Sequence, residues 1–373
     1  MKAWPILGIS LMQVFLFSAH WFIYFTLTAF YPSLSPSQTQ ALKLTIFILA
    51  FSFIFAALLS FRFSNPLVTA VYRIAAVWLG FLNFFFFAAC LTWLLWFALK
   101  LLPISANPAS SRPIVAAILF GLALLAGIYG LINARFIRIR RVTVKLPGLP
   151  SSWQGRTALL ASDLHLGNIN GLRFCRRIAT LAARLQPDVI FLPGDLFDGT
   201  RTDPDCLIAP LKTLAPPFGV YFSIGNHEEF GSAARYTQAL THAGVRVLNN
   251  EKVTVDGLHI LGVPYADSNY PIRLRATLES LRPPPGQAGI LLNHAPHRLP
   301  IVEQAGICLQ LSGHTHGGQL FPFTWLTRRV FGQFTTGLHA FGALQVYTSA
   351  GAGTWGPPMR LGTSPEIVLL HFE

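Results

Sequence analysis

The chain has two hydrophobic rhythms. As far as residue 134 the apolar positions are almost continuous, in four stretches at residues 4–30, 44–61, 74–99 and 114–134. A helix needs ~20 apolar residues to cross the hydrocarbon of a bilayer, so each stretch predicts a spanning helix, the second being the shortest. The breaks hold Pro32 and Pro36, then residues 62–73 with Pro66, then residues 100–113. Their polar and helix-breaking residues predict loops. Trp93 and Trp96 stand near the end of the third stretch, where an aromatic belt would lie. The first stretch is too long for the core of a cleaved signal peptide and carries no small-residue cleavage site.

After the fourth stretch the rhythm changes. Residues 135–146 alternate basic and apolar positions, which predicts a first β-strand, either close to anionic head groups or as a solvated basic edge. Pro147, Gly148 and Pro150 then break the chain. The expected organisation is a transmembrane domain at 1–134, a basic connector with the first strand at 135–150, and a second domain at 151–373. In that domain short apolar runs recur at 157–161, 189–192, 220–224, 290–292 and 308–311. Short runs bounded by glycine predict buried strands rather than helices. The basic stretch 173–184 predicts an amphipathic helix face.

Composition and charge sharpen this division. Charged residues make up 12% of the chain, against about 25% in a soluble domain. All 15 acidic residues lie at or after Asp163, so the first 150 residues carry 11 Lys/Arg and no acid. The remainder holds 17 Lys/Arg, a net of +2. Basicity concentrated in the apolar half reads as membrane-surface charge and leaves no basic channel for nucleic acid. Beside the spans, Lys2, Arg62, Arg73, Arg135, Arg138, Arg140, Arg141 and Lys145 fall on one side, and Lys43, Lys100 and Arg112 on the other. This imbalance predicts a multi-pass protein of the inner (cell) membrane with its second domain in the cytoplasm. The four cysteines form no CxxC pair, which fits a reducing compartment.

The five predicted strands all run into polar clusters: Ser162-Asp163-Leu164-His165, Gly194-Asp195, Gly225-Asn226-His227-Glu228, Asn293-His294, and Gly313-His314-Thr315-His316-Gly317-Gly318-Gln319. In α/β sheets ligands gather beyond the carboxyl ends of the strands, so these side chains should converge. Imidazole with carboxylate, and no cysteine, suits Mn, Fe, Zn or a similar divalent ion. The set is too large for one tetrahedral site. Seven ligands with one shared carboxylate suit two ions ~3.5–4 Å apart that activate water and clamp a phosphate.

The ordered set DxH, GD, GNHE, H and GHTH resembles the calcineurin-like metallophosphoesterase superfamily, over about residues 140–373. GHTHGGQ, with residues 349–353 and Pro358-Met359-Arg360 further on, is similar to its membrane-associated bacterial branch. The resemblance implies a four-layer α/β-β/α sandwich with two mixed sheets. It implies one ion on Asp163, His165, Asp195 and His316, another on Asp195, Asn226, His294 and His314, and Asp195 as the bridge. Mn2+ is the expected metal, with Fe, Zn, Ni or Co as alternatives. His227 is then no ligand but a substrate-facing general acid or oxyanion stabiliser. Asp198, Glu228 and His297 lie beside the motifs without an assigned role, and His242, His259, His339 and His371 read as structural.

The implied activity is hydrolysis of a phosphodiester or pyrophosphate bond, on a lipid-linked substrate among membrane lipids. Membrane-associated members include enzymes that hydrolyse UDP-2,3-diacylglucosamine in lipid A synthesis, but the widespread enzyme of that type has Arg where this chain has His227. A catalytically silent membrane scaffold would have lost ligands, and none is lost here. Protein phosphatases of the superfamily carry extra arginine motifs beside GNHE that are absent here. Residues 320–331 pair aromatics with Arg328 and Arg329, a composition suited either to the head-group boundary or to a loop packed on its own domain.

Overall fold

A computed structural model describes residues 3–101 and 108–373. Lys2, counted above for topology, lies outside the described residues, as does the stretch 102–107. The chain forms two compact units, Met1–Ile132 with Gly356–Met359, and Asn133–Trp355 with Arg360–Glu373.

Among the described residues the first unit holds four helices, α1 Ala3–Phe30, α2 Pro36–Arg62, α3 Pro66–Leu101 and α4 Pro108–Asn133. All four are long and apolar enough to span a bilayer. Large apolar side chains such as Trp21, Ile48, Ile74 and Leu94 point outward. Inside, Ala19, Ala50, Ala76 and Ala89 are buried, as expected where lipid is the solvent and small residues let helix backbones approach. The helices begin earlier than the apolar pattern suggested. Pro66 is the first residue of α3, not the middle of a loop, and Asn65 caps it by accepting the Val68 N–H at 2.9 Å. Arg73 therefore lies within α3 rather than between spans. Ser35 and Gln38 form a reciprocal capping box ahead of Pro36. Proline lacks only the N–H that the first helical turn leaves unused, so it starts these helices instead of breaking them. Pro113, placed in a loop by the same reasoning, is inside α4.

The second unit contains twelve strands: β1 Arg138–Val144, β2 Thr157–Leu160, β3 Val189–Pro193, β4 Val220–Ser223, β5 Arg246–Val247, β6 Glu251–Val255, β7 Leu258–Val263, β8 Gly289–Asn293, β9 Leu309–Ser312, β10 Gly337–Phe341, β11 Leu344–Thr348 and β12 Glu366–Phe372. They make two mixed six-stranded sheets, ordered β1-β12-β2-β3-β4-β5 and β10-β11-β9-β8-β7-β6. Side chains of a strand alternate between faces, and here every second residue enters a different core. Val189 and Phe191 of β3 meet Ile290 and Leu292 of β8 between the sheets. Ile190 and Leu192 turn outward to Ile178 and Ala182 of the helix Leu172–Leu185. On the far side Leu291 packs with Leu274 and Leu278 of the helix Pro271–Leu281. Three apolar interfaces thus separate four layers, helix, sheet, sheet and helix. The basic strand is β1, an edge strand parallel to β12, and its arginines are exposed. Charge on an open edge discourages pairing with other chains.

Candidate metal centre

The five motif strands are β2, β3 and β4 of one sheet and β8 and β9 of the other. Within each sheet they run parallel, so their carboxyl ends share one edge. Just beyond those ends the backbone turns sharply. Ten described residues other than glycine have positive φ, and five of them are Asp163, His165, Asp195, His314 and His316. Left-handed backbone costs an L-residue roughly 1–3 kcal/mol, and Asp and His tolerate it better than most. The strain aims consecutive motif side chains into one pocket. Gly313 lets the last motif pass beside the first, because a Cβ there would collide with the side chains of Ser162 and Asp163.

In one group Asp163, His165 and His316 bring their ligand atoms together. His165 Nε2 and His316 Nε2 are 2.9 Å apart, and His316 Nε2 is 3.5 Å from Asp163 Oδ1. In the other, Asp195, His294 and His314 do the same. His294 Nε2 is 3.1 Å from Asp195 Oδ2, and His314 Nδ1 is 3.0 Å from Asn226 Oδ1. Asp195 Oδ2 also lies 3.9 Å from His165 Nε2, so one carboxylate oxygen faces both groups. Its other oxygen, Oδ1, is held by the His227 N–H at 2.9 Å. The seven side chains expected as ligands are therefore brought together.

These residues fit a pair of cations. His294 Nδ1 donates to the Pro193 carbonyl at 2.8 Å, which turns Nε2 inward. That buried nitrogen has no hydrogen-bond partner of good geometry. An imidazole fixed through its outer nitrogen with the inner one turned to the centre is a typical metal-ligand arrangement. Burial pushes Asp163 up, while the ring of His294 pulls it back. Burial also raises Asp195, but His294, His165 and His227 outweigh it and hold the carboxyl ionised. Burial lowers His294, and the carboxylate of Asp195 reverses this and raises it well above its ordinary value. Burial keeps His165, His314 and His316 neutral. Neutral imidazoles around two buried carboxylates form a cation-binding set.

A third group joins His227 to His165 and Asp195, but His227 is fixed differently. Its Nδ1 donates to the Asp198 carbonyl at 3.0 Å, and its Nε2 points to the centre, 4.0 Å from Asp195 Oδ2. Its ring is flanked by Phe230 and Trp355, both exposed. The Asp198 side chain accepts from the Asn168 and Thr200 N–H groups. It thereby shapes the loop whose carbonyl orients His227. Glu228 is fully buried and accepts from the N–H groups of Asp195, Phe197 and Gly225, which ties the β3 and β4 loops together. Arg360, also fully buried, donates to the carbonyls of His316, Gly351 and Gly353 and lies 3.2 Å from His316 Nδ1. Neither role is visible in the sequence, where Glu228 is a motif neighbour and Arg360 belongs to the Pro358-Met359-Arg360 run without an assigned role. His297 bonds the Ser268 carbonyl and is not in the ligand groups. His259 and His339 are held by Gln287 and Thr336, away from the centre.

Comparison with known proteins agrees with this architecture. The profile of the calcineurin-like phosphoesterase family matches residues 157–318, which span all five motifs. An uncharacterised metallophosphoesterase of Aquifex aeolicus is 32% identical over 258 residues, 68% of this chain and 98% of that one. The chain belongs to the metallophosphoesterase family. Another uncharacterised family member, from Campylobacter jejuni, is 28% identical over 348 residues, covering 87% of this chain and 89% of its own. A transmembrane protein with a metallophosphoesterase domain from Danio rerio is 32% identical over 64% of this chain and 58% of its own. With its four spanning helices, this family member is a membrane protein.

Divalent metals are implied by the family, and the pocket's protonation predicts how they bind. His294 must lose a proton before its Nε2 can ligate, since Asp195 keeps it protonated in the metal-free protein. Titrating Mn2+ into chelator-treated protein at neutral pH should release about one proton per molecule. Affinity should rise about tenfold per pH unit over the neutral range. Calorimetry in buffers of differing ionisation heat measures this, and binding without proton release would mean that His294 is already neutral.

Proposed function

We propose that this family member hydrolyses phosphodiester or pyrophosphate bonds of a lipid-borne substrate, with its second unit on the cytoplasmic face of the inner membrane. The observation that carries the hydrolytic reading is the convergence of seven donor side chains in two groups that share one carboxylate oxygen, Asp195 Oδ2, with His227 fixed beside them. Divalent cations held by Asp163, His165, Asp195, Asn226, His294, His314 and His316 would lower the pKa of water toward ~7 and draw charge from a phosphoryl group. The chain's own contribution is position and proton control. Asp163 and Asp195 are locked by N–H donors from His314 and His227. The Asp198 carbonyl holds the His227 Nδ1 proton, so Nε2 is the atom that passes a proton to the departing oxygen.

Two features support the lipid side of the reading. Only residues 134–137 separate α4 from β1. Four residues reach at most about 14 Å, so the second unit is tied close to a span end. The near-neutral charge of that unit argues against a nucleic-acid substrate. Lys/Arg counts beside the spans support the cytoplasmic orientation.

Chelator-treated protein should be inactive toward bis-p-nitrophenyl phosphate and recover with Mn2+. Asp195→Asn should abolish turnover more completely than His165→Ala, because it removes charge from both groups. Full activity after chelation would end the dinuclear reading.

His227→Ala should keep both metals and lose ~10²–10⁴-fold in rate. Substrates with good leaving groups should lose less, because they need less protonation. Loss of one metal instead, measured by elemental analysis, would make His227 a ligand.

A C-terminal alkaline phosphatase fusion should be inactive and a green fluorescent fusion bright. The opposite pair of results would place the second unit outside the cytoplasm.

A further inference from the structure

The helix Phe323–Phe331 has no buried residue, although it packs beside the last metal-binding motif. Its orientation is inverted relative to an ordinary surface helix, which turns its apolar stripe toward the core. Thr324, Thr327 and Phe331, spaced three and four apart, are the half-buried side. Gly318 permits this seating: its φ is +82°, and a Cβ there would press on the backbone of Phe323 and Thr324. Phe331 reaches the ring of His314, 6.2 Å between centroids. The stripe Phe323, Leu326 and Val330, at helical spacing, is exposed, together with Trp325 and the preceding Phe321, at 47–68%.

Charge on the same helix indicates what covers it. Arg328 and Arg329 are exposed, and the Arg329 guanidinium lies 4.8 Å from the centroid of the Trp325 ring. No acidic residue occurs between Glu303 and Glu366. A stripe of Phe, Leu and Val flanked by Trp and two arginines matches the boundary between acyl chains and anionic head groups. The spanning helices supply the second anchor that stable interfacial seating requires.

We propose that Phe323–Phe331 is a membrane-interfacial helix that seats in the head-group layer of an anionic bilayer and presents lipid phosphates to the centre at His314. The last step rests on the proposed phosphoesterase reading, whereas the seating does not.

The test uses the full chain in nanodiscs of phosphatidylcholine alone or with phosphatidylglycerol. Cys90, Cys206 and Cys308 are replaced by Ser, and nitroxide labels are placed separately at Leu326→Cys, Val330→Cys and the exposed Gln238→Cys. At 326 and 330 the label should be more accessible to oxygen than to a nickel chelate in the anionic discs, and the reverse should hold at 238. Arg328→Glu with Arg329→Glu should abolish the oxygen preference. Nickel accessibility at 326 and 330 equal to that at 238 would overturn the seating. Labels immobilised and shielded from both reagents would mean that protein, a partner or a second copy, covers the helix, and would overturn the lipid assignment. Metal-dependent turnover of bis-p-nitrophenyl phosphate by the unlabelled protein in the same discs reports separately. Its absence would sink the phosphoesterase reading, and with it the presentation step, while the depth measurement still decides the seating.

Discussion

Two carboxylates in a dry pocket govern the second unit. Asp163 and Asp195 are almost entirely removed from solvent, and an uncompensated buried carboxylate is among the costliest groups a protein can hold. The surrounding loops are arranged to answer that cost. Backbone N–H groups of His314 and His227, the hydroxyl of Ser162 and the ring of His294 all turn toward them. Neutralising the carboxylates with hydrogen bonds alone would leave His165 and His316 nose to nose, two ring nitrogens 2.9 Å apart. A pair of cations held by these residues would take the negative charge and accept the ring nitrogens as ligands.

The left-handed backbone at five ligands follows from the same demand. Strands can bring residues to an edge, but consecutive side chains of an extended chain point to opposite faces. Reversing that alternation within two or three residues needs a turn that most residues avoid. Such strain persists only where the surroundings over-determine it. Here the three cores and the buried braces Glu228 and Arg360 supply that rigidity.

Much of this was legible in the sequence. The motif residues could be read because each sits one or two positions past a short apolar run, and the fold makes that position the shared edge. Glu228 and Arg360 were less legible because their function is in what their oxygens and nitrogens touch, which no spacing encodes. The starts of α2, α3 and α4 were missed for a related reason, since proline has opposite meanings at the first and at later turns of a helix. The composition of residues 320–331 suits two surfaces, and spacing alone does not say which side of that segment faces its own domain; in the structure the half-buried side is Thr324, Thr327 and Phe331.

The position of β12 has a consequence for how the protein is made. It lies between β1, which follows the last spanning helix, and β2, which carries the first metal motif. The first sheet therefore cannot join its edge strand to its centre until residues 366–372 have left the ribosome. By then the four apolar helices have long since emerged and met the translocon. Membrane insertion thus precedes closure of the first sheet, and β1 must wait with its backbone unpaired. The exposed Arg138, Arg140 and Arg141, rather than a smooth apolar strand, keep that waiting edge from sticking to its neighbours.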